Sequence, residues 1–416
     1  MKVTLINIGD ELLIGQVVNT LAAGIARLLD PHGWSVAETM VIGDNADDIE
    51  RAVERALSRT DVVITTGGLG PTRDDITKLV LSRHFGDGQL VMDEATLANV
   101  REVVERRHLK LNELTALQAM VPSSCRVIQN RVGTAPIMWF ERDGKTLVSM
   151  PGVPFETLTM LSEAVIPALL EAYPSDETLA RATLIVTGYS ESALAMKIAD
   201  WETALPACLH LAYLPRPGLV RLRIDGRHAD GDFIRGEVDR YAASLAALLG
   251  DAVKATDDLT PAEILLRECI ARGLTVATAE SCTGGNIAHE LTMIPGSSAA
   301  VRGGVVAYAN EVKTGVLGVD PAVIERVGVV SREVVEQMAL GARRVLGADV
   351  AMATSGIAGP GGATPGKPVG TVCIAVATPV GVTSARYHFP GARDRVIDRS
   401  TMTALIDAVE AVTDMD

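Results

Sequence analysis

Residues 61–77, DVVITTGGLGPTRDDIT, join an apolar run to a glycine-rich loop. The apolar run at 62–66 predicts a buried strand, and similar runs at 3–8 and 36–42 predict two more strands. Between these runs, apolar residues recur at the spacing of an amphipathic helix. Strands separated by such helices imply right-handed crossovers and a parallel sheet that is buried on both faces. The first part of the chain is therefore predicted to be an α/β domain.

Two changes of pattern divide the rest of the 416-residue chain, which at roughly 100–200 residues per domain has room for several domains. After the first domain, a hairpin turn at 215–218 between two strand patterns indicates a small α+β module. The polar residues 254–259 indicate a linker. Thr260 and Glu263, with a proline between them, are typical of a capped helix start. We therefore expect an α/β domain over residues 1–173, an α+β module over 174–254 and a second α/β domain over 255–416.

Charge and composition exclude several classes of partner. A net charge of −14 repels a phosphate backbone, and only 3% of the residues are aromatic, which leaves few platforms for stacked bases. We therefore expect no nucleic-acid partner. The five cysteines form no CxxC pair, which favours a reducing compartment. No apolar stretch reaches the ~20 residues of a membrane span, so we expect a soluble, cytoplasmic protein with no membrane partner.

The loops that follow the first and third predicted strands carry glycine and carboxylate side chains. In an open parallel sheet, loops at the carboxyl ends of the strands form the ligand site. Gly67, Gly68 and Gly70 allow backbone N–H groups to approach an anion. Asp10 and Asp75 lie beside these glycines, where a divalent cation that bridges phosphates would find oxygen ligands. The alternative is a tight turn whose aspartates only cap the next helix.

The first 170 residues resemble the N-terminal domain of the CinA family of competence/damage-inducible proteins. The resemblance rests on GDELLIGQVVNT, VIGDNADDI, DVVITTGGLGPTRDDIT and MPGVPFE. It implies a fold similar to molybdopterin-binding domains, hydrolysis of ADP-ribose, and a divalent metal ion as cofactor. On this resemblance the candidate metal-binding or water-positioning residues are Asp10, Asp44, Asp74 and Asp75, and the candidate nucleotide-binding residues are Gly67, Gly68, Gly70 and Thr72.

A second junction between strand and loop lies at residues 274–285, LTVATAESCTGG. A nucleophile at the end of a strand, followed by glycines at a helix start, has an exposed side chain and free backbone N–H groups near it. Those N–H groups can stabilise an oxyanion. Ser281 and Cys282 are both candidate nucleophiles.

A serine nucleophile needs a base nearby. His289 and His388 do not lie in loops of this kind. Lys313 follows a predicted buried strand, and a desolvated lysine can be neutral and accept a proton, which arginine cannot. We therefore favour Lys313 as the base. The alternative is a solvated surface lysine.

The segment SGIAGPGG, residues 355–362, is the third candidate ligand loop of this domain. Its glycines suit a backbone that approaches a ligand, and arginines at the start of the last predicted helix suit a phosphate. The alternative is a flexible flap over the end of a sheet.

Residues 260–412 resemble the C-terminal domain of the same family through ESCTGG, PGSS, GGVVAYANEVK, SGIAGPGG and FPGAR. The family activity is hydrolysis of nicotinamide mononucleotide (NMN) to nicotinate mononucleotide and ammonia, without a cofactor. The resemblance implies Ser281 as nucleophile, Lys313 as base, and Ser298 and Tyr308 as assisting residues, with an oxyanion held by amides near Gly284 and Gly285. The implied substrate-binding residues are Thr283, Gly284, Gly285, Asn310, Ser355, Gly356, Gly359, Gly361, Arg393 and Arg399.

Together these patterns predict a two-activity nucleotide enzyme of pyridine-nucleotide salvage whose partners are the small molecules NMN and ADP-ribose. Because oligomers are most often twofold, we expect a homodimer. The alternative from another class is a regulatory protein that binds a nucleotide or a molybdopterin-like ligand and has one or both sites inactive. A nucleophile paired with a base favours the enzyme.

Overall fold

The computed structural model describes residues 1–72 and 75–415, so the candidate residue Asp74 lies outside the described residues. The chain divides into two compact units, Met1–Leu179 and Ala180–Asp416. In the described part of the chain, no helix combines the length and apolar character that a bilayer span requires. The domain boundaries expected from the sequence stay a prediction.

The first unit alternates apolar strands with amphipathic helices. Its third strand is buried at every position, which is typical of a central strand covered on both faces. A π-helical turn, Leu161–Val165, joins its last two helices. The elements are β1 (Lys2–Ile8), α1 (Asp10–Leu13), α2 (Thr20–Leu29), β2 (Ser35–Ile42), α3 (Ala46–Arg59), β3 (Val62–Thr66), α4 (Thr77–Phe85), β4 (Leu90–Met92), α5 (Glu94–Arg106), α6 (Glu113–Ala116), β5 (Met120–Pro122), β6 (Arg126–Ile128), β7 (Ile137–Arg142), β8 (Lys145–Met150), α7 (Pro154–Met160) and α8 (Ile166–Ala172).

The main sheet of this unit has the strand order β2-β1-β3-β8-β7-β6. The first four strands are parallel, as expected, whereas β7 pairs antiparallel with β8 on one side and with β6 on the other. The reason is the two-residue turn between β7 and β8, since so short a connection joins only antiparallel strands. Its residues, Asp143 and Gly144, both have positive φ, which suits a hairpin turn. The loops after β1 and β3 therefore lie at the carboxyl edge of the parallel part.

The second unit begins with a small α+β module. Its four-stranded sheet has the order β10-β11-β9-β12, and β10 and β11 form the expected hairpin around Pro217 and Gly218. Apolar residues of two strands, Ile185 and Leu219, join the core of the α/β domain that follows. The elements are β9 (Thr178–Thr187), α9 (Glu191–Thr203), β10 (Leu209–Arg216), β11 (Leu219–His228), α10 (Gly231–Leu249) and β12 (Val253–Ala255).

The last α/β domain begins at the predicted helix start. The Thr260 side chain accepts from the Glu263 backbone N–H, and the Glu263 side chain accepts from the Thr260 N–H, a complete capping box. The elements are α11 (Pro261–Ala271), β13 (Val276–Glu280), α12 (Asn286–Thr292), β14 (Val301–Val306), α13 (Asn310–Gly315), α14 (Pro321–Val327), α15 (Arg332–Leu346), β15 (Val350–Gly356), β16 (Thr371–Thr378), β17 (Gly381–His388) and α16 (Arg393–Thr413).

The sheet of this domain brings three candidate segments to one edge. Its order is β14-β13-β15-β16-β17. The strands β14, β13 and β15 are parallel, whereas β16 pairs antiparallel with both β15 and β17. Glu280, the last residue of β13, is paired with Thr354 of β15. Ser281, the loop after β15 and helix α13 after β14 therefore lie at the same carboxyl edge, where ligands bind in open α/β sheets.

Candidate functional site

Ser281 and Lys313 are in direct contact. The Lys313 Nζ donates to the Ser281 Oγ at 3.1 Å and to the backbone carbonyls of Ala307 at 2.6 Å and Tyr308 at 3.3 Å. Lys313 is 1% exposed, among the largest fully buried side chains of the chain. Burial lowers the pKa of its ammonium group, because the charged form is poorly solvated there. The pair has the geometry of a nucleophile and its base.

Cys282, the other candidate nucleophile, is unsuited to that role. Its side chain is buried, and burial raises the pKa of the thiol to about 12. A thiol reacts as the thiolate, so this cysteine stays protonated and unreactive near neutral pH. The choice that the sequence left open between a serine and a thiol nucleophile is thus narrowed to Ser281.

The turn after Ser281 is fixed by the buried carboxylate of Glu280. This carboxylate accepts from the backbone N–H groups of Gly285 at 2.9 Å, Ile287 at 3.0 Å and Ala288 at 2.8 Å. A carboxylate at a helix N-terminus satisfies amides that have no partner within the helix. The Gly284 N–H donates to the Ser281 carbonyl at 3.2 Å. The N–H groups of Gly284 and Gly285 are therefore bonded within the protein, so an oxyanion held by amides near these glycines would use other N–H groups of the turn.

Arg393 connects two further candidate segments. Its guanidinium donates to the Tyr308 hydroxyl at 3.1 Å and to the Gly359 carbonyl at 2.9 Å. Tyr308 is 63% exposed, so its ring faces solvent while its hydroxyl is held. The start of α16, the loop after β15 and the end of β14 are thereby joined by one side chain.

Three of the predicted substrate-binding residues have structural contacts instead. The Thr283 hydroxyl is buried against the Thr354 hydroxyl at 2.7 Å, and the buried Ser355 hydroxyl donates to the Val329 carbonyl at 2.9 Å. A Cβ on Gly356 would lie 3.0 Å from the Cys282 Sγ. These three residues therefore contact the protein at the ends of β13 and β15.

Four other predicted residues form no hydrogen bond with the Ser281–Lys313 pair among the contacts of the described residues. In the contacts of the described residues, Ser298 is exposed in a 3-10 turn and Asn310 is exposed at the start of α13. Gly361 has open space around its Cα. Arg399 lines a different cleft of about 440 Å³, together with residues of the β10–β11 turn. It lies six residues after Arg393, which on a helix turns it to another face.

The glycine-rich loop of the first unit lines a cleft of about 490 Å³. Gly67 and Gly68 have φ of 102° and 63°, a conformation that favours glycine. A Cβ on Gly67 would lie 2.1 Å from the Ile8 carbonyl, and one on Gly68 would lie 2.0 Å from the Thr77 Oγ1. Gly70 also lines the cleft. The loop therefore requires glycine, as its sequence predicted.

The carboxylates of this cleft divide into two groups. Asp10 and Asp44 are bound reciprocally, each accepting from the other's backbone N–H at 3.3 Å and 3.2 Å. Asp75 instead closes the loop, accepting from the Gly70 N–H at 2.7 Å and from the Thr72 N–H and hydroxyl. These donors precede Asp75, and the N-cap residue of α4, Ile76, forms no side-chain cap, so Asp75 closes the loop and does not cap the next helix.

The electrostatics of Asp44 fit a cation at this position. Burial, together with the negative charges of Asp10, Glu11 and Asp75, raises the pKa of the Asp44 carboxyl. A cation would offset that repulsion, and carboxylate oxygens are the ligands that hard divalent cations prefer. Within the described residues, however, no three of these carboxylates place their oxygens close enough together to share a metal ion. The one group of three metal-binding side chains found there is Glu50, Glu54 and His84, which do not line the cleft.

Part of the cleft wall was not predicted from the sequence. Glu156 could have been predicted, because it belongs to the MPGVPFE motif, and so could Thr134, which lies in the segment GTAP. Arg107 gave no signal, because it is the second of two adjacent arginines at the end of an ordinary helix. The cleft residues without a predicted role include Arg107, Gln118, Thr134, Ala135 and Glu156.

The chain matches two family models, the probable molybdopterin binding domain over residues 4–171 and the CinA C-terminal domain over residues 258–412. It is 39% identical to a CinA-like protein of Flavobacterium psychrophilum, over 97% of both chains. It is 41% identical to a CinA-like protein of Gemmatimonas aurantiaca, over 97% of this chain and 95% of the relative. A solved structure, the competence/damage inducible protein CihA of Agrobacterium tumefaciens, is 40% identical over 37% of this chain and 97% of its own, with a TM-score of 0.35.

Proposed function

Because the chain belongs to the CinA family, in which it matches relatives over nearly its whole length, we propose that its last domain is a serine amidase that hydrolyses NMN to nicotinate mononucleotide and ammonia. The observation that supports this proposal most strongly is the 3.1 Å contact between the buried Lys313 amine and the Ser281 hydroxyl. A protein that only binds a nucleotide has no need of this pair.

The reaction proceeds through an acyl-enzyme. Neutral Lys313 accepts the Ser281 proton as the Oγ attacks the carboxamide carbon, and the lysine then gives that proton to the departing ammonia. The carbon–nitrogen bond breaks and an ester to Ser281 remains. In the second step Lys313 accepts a proton from water as the water oxygen attacks the ester, and passes that proton to the departing Ser281 oxygen. The product carboxylic acid loses its proton to ammonia, so one turnover gives a carboxylate and an ammonium ion and restores both Ser281 and the neutral Lys313.

Arg393 and the loop at 356–362 contribute to substrate binding in this proposal. Arg393 already holds Tyr308 and the Gly359 carbonyl, so a phosphate that displaced either contact would stay within reach of a planar guanidinium. The exposed Tyr308 ring then borders the nicotinamide, and its hydroxyl orients the carboxamide. Ser298 and Arg399 have no part in this arrangement.

For the first unit we propose metal-dependent hydrolysis of ADP-ribose in the 490 Å³ cleft. Asp10 and Asp44 would hold the divalent metal, which when bound stabilises charge on the phosphoryl oxygens. The chain's own contribution is the glycine loop, whose backbone can approach a diphosphate, and Asp75, which keeps that loop closed. The regulatory alternative shares this cleft but requires no turnover.

Purified protein incubated separately with NMN and with ADP-ribose, each with and without EDTA, tests both proposals. We expect ammonia release from NMN that EDTA does not affect, and ADP-ribose cleavage that EDTA stops. Absence of turnover on both substrates would favour a regulatory nucleotide-binding protein instead.

A further inference from the structure

One cationic side chain lies in the cleft of the first unit. Among the described residues that line it, Arg107 is the single positive charge, whereas Glu11, Asp44, Asp75 and Glu156 are acidic. An anionic ligand is repelled by such a wall unless a positive charge receives it. The position of Arg107 therefore bears on which chemical groups the cleft accepts.

Arg107 is held in place by a buried network. Its Nη2 donates to the Val132 carbonyl at 3.0 Å and to the Glu156 Oε1 at 3.4 Å. Glu156 is only 8% exposed, and its Oε2 accepts from the Asn130 amide at 3.2 Å. A Cβ on Gly133 would lie 1.8 Å from that same oxygen, so the carboxylate is in close contact with the backbone at Gly133. A buried carboxylate fixes the orientation of the guanidinium at low entropic cost.

Two nitrogens of the guanidinium are available for a ligand. In the contacts of the described residues, the Nε and Nη1 of Arg107 bind no protein acceptor, and the side chain is 50% exposed. These two nitrogens lie on different edges of the guanidinium, and each can donate a charge-assisted hydrogen bond to a phosphoryl oxygen. Because Val132 and Glu156 are bound by Nη2 alone, such a bond forms without breaking the ion pair.

We propose that Arg107 binds a phosphoryl group of the nucleotide that occupies this cleft, and that Glu156 is the positioning residue that fixes it. The ligand class is a phosphate or diphosphate ester. Its identity as ADP-ribose rests on the proposed function, but the phosphoryl contact does not. Asp10 and Asp44 are negatively charged, opposite in sign to Arg107. In this proposal they hold the part of the ligand that a cation bridges, and Arg107 binds a phosphoryl group directly.

Calorimetric binding of ADP-ribose, AMP and inorganic pyrophosphate to the full chain, in the presence of Mg²⁺, tests the proposal. Arg107→Gln should weaken the binding of all three probes by about tenfold or more, since a charge-assisted contact is lost. Arg107→Lys, which keeps the charge but not the fixed N–H groups of the guanidinium, should bind the probes with affinities between those of the wild type and of Arg107→Gln. Arg106→Gln is the matched control, because Arg106 is the neighbouring exposed arginine, bonds the Arg131 carbonyl and does not line the cleft.

Glu156→Gln tests whether Glu156 positions Arg107 or only supports the fold. It should weaken probe binding less than Arg107→Gln does, and the further loss of affinity on adding Arg107→Gln should be smaller than in the wild type. Thermal unfolding of Glu156→Gln should remain cooperative. Equal affinities in wild type and both Arg107 variants would overturn the proposal, as would wild-type protein that binds none of the probes. If the probes bind through Arg107 but ADP-ribose is not cleaved, the phosphoryl site stands and the hydrolase proposal for this unit fails.

Discussion

The Lys313 Nζ lies 3.1 Å from the Ser281 Oγ and 2.6 Å from the Ala307 carbonyl, in a position almost closed to solvent. The two residues come from different elements: Ser281 follows β13 and Lys313 belongs to α13. Burial lowers the pKa of Lys313, which favours the neutral amine more than in a solvated lysine, and the backbone carbonyls orient the amine toward the hydroxyl. The proposed base is thereby fixed beside the proposed nucleophile.

The rate of NMN hydrolysis should rise with pH through the lowered pKa of Lys313. Only the neutral amine accepts the serine proton, so the kcat profile should level off at a pH below the ordinary lysine value of about 10.4. Ammonia release measured across the pH range checks this. A rate that declines over the same rise in pH would show that the ammonium form is required, which contradicts a role as base.

Lys313→Met should abolish activity and raise stability near neutral pH. The lowered pKa means that the unfolded chain binds more protons than the folded one between the two pKa values, so folding is disfavoured as pH falls through that window. Methionine fills the volume without a charge to desolvate. We expect kcat to fall about 10⁴-fold or more and the urea midpoint at pH 7 to rise. Lys367→Met, at the other lysine of this domain, should leave kcat unchanged.

Cys282→Ala should retain NMN turnover within about threefold of wild type and lose about 1 kcal/mol of stability from the buried site. The thiol pKa of about 12 also predicts that iodoacetamide leaves Cys282 unmodified in the folded protein at pH 7. Peptide mapping after alkylation and a parallel ammonia assay test both statements. Rapid alkylation together with inactivation would point to a thiol mechanism.

Glu280→Gln should lower kcat more than it changes KM, because the carboxylate holds the turn that carries Ser281. Glutamine offers one acceptor oxygen where three N–H groups converge, so we also expect a loss of about 1–3 kcal/mol in unfolding free energy. Glu290→Gln, an exposed change on α12, the helix whose N-terminal amides Glu280 binds, is the control for stability and rate. A Glu280→Gln protein with normal kcat would remove this residue from the positioning of the nucleophile.

Asp44→Asn should weaken activation of ADP-ribose cleavage by Mg²⁺ at least about tenfold, since one of the two carboxylates proposed to hold the metal is neutralised. The raised pKa of Asp44 adds a pH dependence: the carboxyl gains its proton as pH falls, so metal activation should weaken on the acidic side earlier than for an ordinary aspartate. Asp47→Asn, an exposed change at the start of α3, is the control. Mg²⁺ titrations at pH 5 and pH 7 measure both effects.

Periodicity predicted the elements that position both sites. The apolar runs at 3–8 and 62–66 became neighbouring parallel strands, and the Thr260–Glu263 pattern became a complete capping box. The CinA family is confirmed by relatives matched over nearly the whole chain, and the α/β class is confirmed with sheets of mixed orientation. These features depend on local pattern, which a sequence displays directly.

What the sequence could not predict depends on which side chain meets which partner. The Gly284 and Gly285 amides were expected to be free, but Glu280 and the Ser281 carbonyl take them. Arg399 looked equivalent to Arg393, but six residues along α16 it faces another cleft. Such outcomes follow from side-chain orientation in three dimensions, which residue spacing constrains only weakly.

Whether Ser281 is the amidase nucleophile is decided by the rate at which purified Ser281→Ala releases ammonia from NMN. We expect that rate to fall by about 10⁴-fold or more, with the circular dichroism spectrum unchanged. Ammonia release by Ser281→Ala at the wild-type rate would contradict this assignment.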